Sequence, residues 1–159
     1  HLFDVEVADK TKRYAESSTT MPGEKVVCFD TEFGKVGVAI CYDLRFPGLF
    51  QILRQQGAIA VVLPSAFTEK TGLAHWQPLL QARAIENQLF MIAADQNGIH
   101  VNGRETHGHS MIVSPWGEVI CNAGRDNGVF GGSLDLEQLK KIRKNMPVVQ
   151  HNRIVSTYN

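Results

Sequence analysis

Gly37-Val38-Ala39-Ile40-Cys41-Tyr42-Asp43-Leu44-Arg45-Phe46-Pro47 runs an apolar strand into a cysteine and then turns toward a helix. Val36 to Ile40 is β-branched or small, the composition of a strand buried on both faces. Pro47 stands where a first helical residue is favoured, because its missing N–H would have no helical partner there anyway. Cys41 therefore falls at a strand's carboxyl end. In α/β architectures ligands bind at that end, and the backbone N–H groups opening the next turn are free to meet developing negative charge. A thiol so placed reads as a candidate nucleophile, and its alternative is a small buried hydrophobe. Asp43 and Arg45 follow directly. Arginine offers a planar fork suited to a carboxylate, and the alternative for the pair, favoured for Asp43, is a buried structural salt bridge.

Composition bounds the rest. The 159 residues balance 16 Lys and Arg against 16 Asp and Glu, with ordinary apolar content and aromatics spread along the chain. That excludes disorder-like composition and a basic face for nucleic acid. The three cysteines, Cys28, Cys41 and Cys121, are odd in number and lack CxxC spacing, which argues against a disulfide framework or a zinc cage and for a reducing, cytoplasmic setting. No apolar run approaches the roughly 18 residues of a membrane span, and no metal or cofactor is called for.

Periodicity predicts a mixed α/β chain. Residues 1 to 24 read as loop; Val26 to Asp30 and Phe33 to Ile40 read as paired strands. A helix from about Pro47 to Gln56 is stopped by Gly57, and Ala58 to Leu63 follows as a fully apolar strand, giving a βαβ-like unit. A second helix over about Leu73 to Asn87 sets Leu73, Trp76, Leu80 and Ala84 on one stripe, with Trp76 read as core and His75 as a possible border of a pocket. Leu89 to Ala94, Ser110 to Val113, Val119 to Ala123 and Val129 to Leu134 read as strands, and Leu136 to Lys144 as a closing helix. Asn102-Gly103 marks a hairpin turn and Pro115-Trp116-Gly117-Glu118 a tight turn. His107 and His109 alternate along a strand start, so their rings should point to opposite faces.

Cys41 to Pro47 resembles the nucleophile motif of the nitrilase, or carbon–nitrogen hydrolase, superfamily. The likeness continues through Pro64-Ser65-Ala66-Phe67-Thr68, Thr71-Gly72-Leu73-Ala74-His75-Trp76 and Ala82-Arg83-Ala84-Ile85-Glu86-Asn87-Gln88. It extends through Gly108-His109-Ser110-Met111 and Ser114-Pro115-Trp116-Gly117-Glu118 to Pro147-Val148-Val149-Gln150-His151. Within the superfamily the chain is most similar to the deaminated glutathione amidases and the omega-amidases.

The resemblance implies an αββα sandwich of two stacked sheets covered by helices, of which residues 1–159 form the C-terminal portion of a single domain, the N-terminal half being missing. It implies amide hydrolysis through a thioester on Cys41, with the backbone N–H of Tyr42 near the oxyanion and Glu16 as the supporting glutamate. Arg45, Phe67 and Thr71 are the implied substrate-binding residues, for a carboxylate-bearing amide such as deaminated glutathione or, alternatively, α-ketoglutaramate. The general-base glutamate and the oxyanion lysine have no matching position, and Lys10, Lys12 and Lys25 do not occupy the motif. The chain alone is therefore expected to be inactive; as half of such a fold it would expose sheet edges and apolar surface, and so is expected to aggregate or to bind its missing N-terminal segment. The resemblance implies a homodimer or higher oligomer formed through the helices after Pro47 and Gly72. Gly48 departs from the pattern, standing where a glutamate often follows Phe-Pro. The reading from another class is a catalytically silent scaffold of the same fold.

Overall fold

The computed structural model describes residues 1–7 and 13–154; Lys10 and Lys12 lie outside the described residues. In chain order the elements are β1 (Asp4–Val5), β2 (Tyr14–Ala15), a 3-10 turn (Glu16–Ser18), β3 (Val27–Thr31), β4 (Gly34–Val38), a 3-10 turn (Cys41–Arg45) and α1 (Pro47–Gln55). Then come β5 (Ala60–Ser65), α2 (Glu69–Asn87), β6 (Phe90–Asp95), β7 (Asn97–Ile99), β8 (Glu105–His107), β9 (Met111–Val113), β10 (Val119–Asn122), α3 (Leu136–Asn145) and α4 (Val148–His151).

Six strands form one sheet in the order β10-β9-β6-β5-β4-β3. The centre is parallel: β4 pairs with β5 and β5 with β6. The β4–α1–β5 and β5–α2–β6 connections each carry a helix, as a parallel pairing requires. The outer pairs β3–β4, β6–β9 and β9–β10 are antiparallel.

Alternation along the central strands sorts side chains onto two faces. Val61, Leu63, Met91 and Ala93 join Leu49, Phe50 and Leu53 of α1 and Trp76, Leu80 and Ala84 of α2 in the main core. On the other face Ala60 and Phe90 meet Leu139 of α3, while Val62 and Ile92 are only half-buried. Two guanidiniums lock helices to this frame. Arg83 of α2, itself buried, donates from Nε to the Leu44 carbonyl at 3.0 Å. Arg143 of α3 donates from Nη2 to the carbonyls of Ala58 and Gln88 at 2.9 and 2.8 Å.

Several expectations need correction. The second helix begins at Glu69, not Leu73, because Thr68 caps it: its side chain accepts from the Thr71 N–H. Gly72 does not delay the helix. It is required inside it, since a Cβ there would lie 2.2 Å from the Cβ of His107. Leu73 leaves the predicted stripe and is exposed, whereas Trp76, Leu80 and Ala84 are fully buried. Val129 to Leu134 forms no strand; Gly128, Gly131 and Gly132 dilute its strand preference, and the sheet ends at β10 with no further strand pairing to it among the described residues. Within residues 1–24 the described part holds a two-strand pairing, Asp4 with Ala15 and Val5 with Tyr14, rather than loop alone. His107 and His109 stack at 4.6 Å instead of diverging, because Gly108 and His109 both adopt positive φ, which ends strand alternation there. The hairpin at Asn102-Gly103 is formed by β7 and β8, with Gly103 donating to the His100 carbonyl at 2.8 Å.

Candidate active site

Cys41 follows β4 after the short link Ala39-Ile40 and adopts φ +43°. For a residue with a side chain that left-handed conformation costs on the order of 1–3 kcal/mol and persists only where the surroundings impose it. The neighbouring residues impose it. The Ala39 N–H is tied to Val62 of the adjacent strand at 3.1 Å. Asp43 then closes the turn on itself, its Oδ2 accepting from the Ile40 N–H at 2.9 Å while its own N–H donates to the Ile40 carbonyl at 2.9 Å. Pro47 starts α1. The Tyr42 N–H precedes the first donor that the 3-10 turn can satisfy, so it has no acceptor within that turn.

The expected Asp43–Arg45 salt bridge is not the arrangement found. Asp43 Oδ1 instead meets His1 Nδ1 at 2.7 Å. Arg45 turns the other way: its Nη1 lies 3.2 Å from Nδ1 of His75, and its guanidinium sits 5.3 Å from the Phe67 ring centre. His75 thus reaches the site through Arg45.

Cys41 opens onto a cavity of about 880 Å3 at the carboxyl ends of β4, β5 and β6. Glu16, Tyr42, Arg45, Phe67 and Thr71 line the same cavity, so all six residues singled out from the sequence converge on it. Glu16 stands on the turn after β2, its Oε2 accepting from the Phe3 N–H at 2.7 Å. Phe67 is buried against Trp76, ring centres 4.9 Å apart, and forms an apolar wall. Thr71 lies in the first turn of α2, where its hydroxyl is 2.9 Å from the Thr68 hydroxyl. Lys25 is exposed and is not part of the wall.

Sequence reasoning did not find Asp95 or Arg104, which also line the cavity. Asp95 ends β6 beside Ser65, its partner in the last register pair of the parallel β5–β6 ladder; the convergence of parallel strand ends was the available signal. Arg104 arrives on the β7–β8 hairpin, donates from Nη2 to the Ala66 carbonyl and lies 5.5 Å from the Tyr14 ring centre. Nothing in its spacing marks it.

Electrostatically the surroundings disfavour the Cys41 thiolate. Burial pushes the Cys41 thiol up, and the charges of Asp95 and Glu16 push the same way, while a hydrogen bond from the Ala66 backbone and the charge of Arg104 pull it down. Burial also pushes the Asp95 carboxyl up to about 7, against the pull of the Phe67 N–H, Arg104 and the Gly108 N–H. Among the described residues no cluster of three or more His, Cys, Asp or Glu could hold a metal ion, and no helix is long and apolar enough to cross a membrane.

Comparison with known proteins bears on the family and the fold. Residues 1–144 match the family model described as carbon–nitrogen hydrolase. The chain is 50% identical to a deaminated glutathione amidase of Yersinia enterocolitica, over 99% of this chain and 55% of that protein. It is 45% identical to one of Homo sapiens, over 96% of this chain and 47% of that protein. The chain thus spans about half the length of these curated relatives. The crystal structure of the Caenorhabditis elegans NitFhit protein superimposes with a TM-score of 0.87 at 42% identity, over 96% of this chain and 37% of that one. The strand-to-cysteine turn, the cavity at the parallel strand ends and these matches together mean that the chain belongs to the carbon–nitrogen hydrolase family.

Proposed function

We propose that Cys41 is the nucleophile of an amidase acting on a small amide that carries a carboxylate away from the scissile bond. The observation that carries this reading is the left-handed turn that holds Cys41 in the wall of a cavity shared with Glu16, Arg45, Phe67 and Thr71. The thiolate attacks the amide carbon, the C–N bond breaks, and the nitrogen takes up a proton and leaves, as ammonia from a primary amide such as α-ketoglutaramate and as an amine from the secondary amide of deaminated glutathione. Water then attacks the thioester, releasing the carboxylic acid and restoring the thiol. The Tyr42 N–H is proposed to donate to the oxyanion of each tetrahedral intermediate, and Glu16 to support the site.

A thiol ordinarily titrates near 8.5 and here is pushed higher, so attack needs a base and local positive charge. By the family resemblance these are a glutamate and a lysine with no matching position in residues 1–159. We propose that these residues hold the nucleophile and the substrate wall, and that turnover requires both of those groups as well.

Arg45 is proposed to hold the substrate carboxylate, its face packed on Phe67 and one nitrogen braced by His75. Curated relatives named deaminated glutathione amidase support that substrate class; α-ketoglutaramate is the second carboxylate-bearing amide to test. In the full-length polypeptide Arg45→Lys should raise KM for both carboxylate-bearing amides by on the order of tenfold or more, since lysine cannot reproduce the fork. KM for a neutral short amide such as butyramide should change little. Equal losses on charged and neutral amides would make Arg45 a structural group and remove the basis for this substrate class.

A further inference from the structure

The amidase steps leave Asp95 unused, yet it is built into the cavity wall at the end of the central strand β6. We propose that Asp95 is a specificity residue whose protonated Oδ2 donates a hydrogen bond to the same carboxylate of the bound amide that Arg45 holds, so that carboxylate-bearing amides are admitted only while Asp95 is protonated. This deepens the amidase reading and rests on it.

The geometry comes first. Asp95 is only 7% exposed. Its Oδ1 accepts from the Phe67 N–H at 2.8 Å, which orients the carboxyl, and its backbone N–H donates to the Ser110 hydroxyl at 3.0 Å. Oδ2 is buried with no well-formed hydrogen bond: the Gly108 N–H lies near enough to favour the charged carboxyl but donates to the Gln96 carbonyl at 3.0 Å. A buried polar atom left without a partner is costly, and a ligand in this cavity would relieve it. Beside it Arg104, held on the Ala66 carbonyl, has its own Nε buried without a partner. One unsatisfied acid oxygen and one unsatisfied guanidinium nitrogen on the same wall match an oxyanion that can accept from both.

Charge then decides which form of Asp95 does this. Two carboxylates side by side repel, whereas a carboxylic acid donating to a carboxylate makes a charge-assisted bond. Burial pushes the Asp95 carboxyl up to about 7, so both forms are present near neutrality. The titratable and charged groups that share the cavity with it are Arg104 from the hairpin, Arg13, Tyr14 and Glu16 from the N-terminal segment with His1, and Cys41, Tyr42 and Arg45 from the turn after β4, with His109 and Asp126 on the side of a smaller depression that Asp95 also borders. Of these, Arg104 is the one that acts on the Asp95 carboxyl, pulling it down.

The test is the pH dependence of KM in the full-length polypeptide, between pH 6.5 and 8.5, for deaminated glutathione and for butyramide. Over that interval a group titrating near 7 goes from about three-quarters protonated to a few per cent, so KM for deaminated glutathione should rise on the order of tenfold. KM for butyramide should stay flat. Asp95→Asn, which keeps a donor without titrating, should hold a low KM for deaminated glutathione at both pH values. A rise that persists in Asp95→Asn, or that appears equally for butyramide, overturns the proposal. Should that variant fail to fold, the wild-type carboxyl carbon of Asp95 can be followed by NMR with and without glutarate. Binding to the protonated form must move its titration to higher pH, and an unmoved or lowered titration overturns the proposal. Absence of any amide hydrolysis would defeat the amidase reading, whereas the glutarate titration tests Asp95 whether or not an amide is hydrolysed.

Discussion

The core between the sheet and α1 and α2, and the carboxyl edge of the same sheet, are built from adjacent residues of the same strands and obey opposite rules. Under the helices Val61, Leu63, Met91 and Ala93 meet Leu53, Trp76 and Leu80 with almost no exposure. One or two residues further along each strand, Ser65 Oγ, Asp95 Oδ2 and, on the neighbouring hairpin, Arg104 Nε are buried without partners, and Cys41 holds a positive φ. Stability is concentrated in the first region, and the second is where stability is given up to hold reactive groups in place.

If that division is right, the largest stability losses come from the core. Leu53 is fully buried with its methyls packed over Gly37. Leu53→Ala should cost about 2–5 kcal/mol in denaturant unfolding. A loss under about 1 kcal/mol would mean that this face is far less tightly packed than described.

At the carboxyl edge the sign reverses. Burial pushes the folded Asp95 carboxyl up to about 7 from an ordinary 3.8, so between those values the native state holds more protons than the unfolded chain. Stability from this group is therefore intact at about pH 4, falls as pH rises through that window, and stays low above it. Asp95→Asn should be more stable than wild type by about 1–3 kcal/mol at pH 8, with the gain gone at about pH 4. Thermal unfolding at the two pH values checks this, and destabilisation at the higher pH would contradict it.

A smaller effect should follow from the turn itself. Cys41→Gly removes the cost of a side chain at φ +43°. It should leave stability unchanged or raise it by up to about 1 kcal/mol despite the greater entropy of the unfolded glycine. A loss of about 2 kcal/mol or more would show Cys41 to be a packing residue, the alternative that its sequence left open.

Much of this division was legible in the sequence because it rests on local chemistry. The β-branched run before Cys41, Pro47 after it and the apolar run Ala58 to Leu63 each specify strand or helix on their own, and the parallel centre follows from their alternation. What was not legible depends on tertiary contact or on a cap. The reach of α2 back to Glu69 hinges on Thr68 turning its hydroxyl to the Thr71 N–H, which reads equally well as a loop residue. The stacking of His107 on His109 depends on two successive positive φ values that a histidine does not announce. Asp43 was read as a partner for Arg45 from proximity in sequence, but the 3-10 turn sends the two side chains apart, one to the Ile40 N–H and the other toward His75. Val129 to Leu134 has strand-like residues but, diluted by Gly131 and Gly132, pairs with no strand among the described residues even though β10 is an edge, and pairing rather than propensity makes a strand. In the site, Arg104 is a long side chain from a distant hairpin, and only folding brings it to the cavity that Cys41 lines.

The central claim is that Cys41 forms a thioester with its substrate. Full-length polypeptide mixed with a slowly turned-over primary amide, quenched in acid and digested for mass spectrometry should show the acyl group on the peptide containing Cys41, with one ammonia released per adduct formed. The adduct should be absent in Cys41→Ala. An acyl adduct that persists in Cys41→Ala, or full turnover in that variant, would contradict the account.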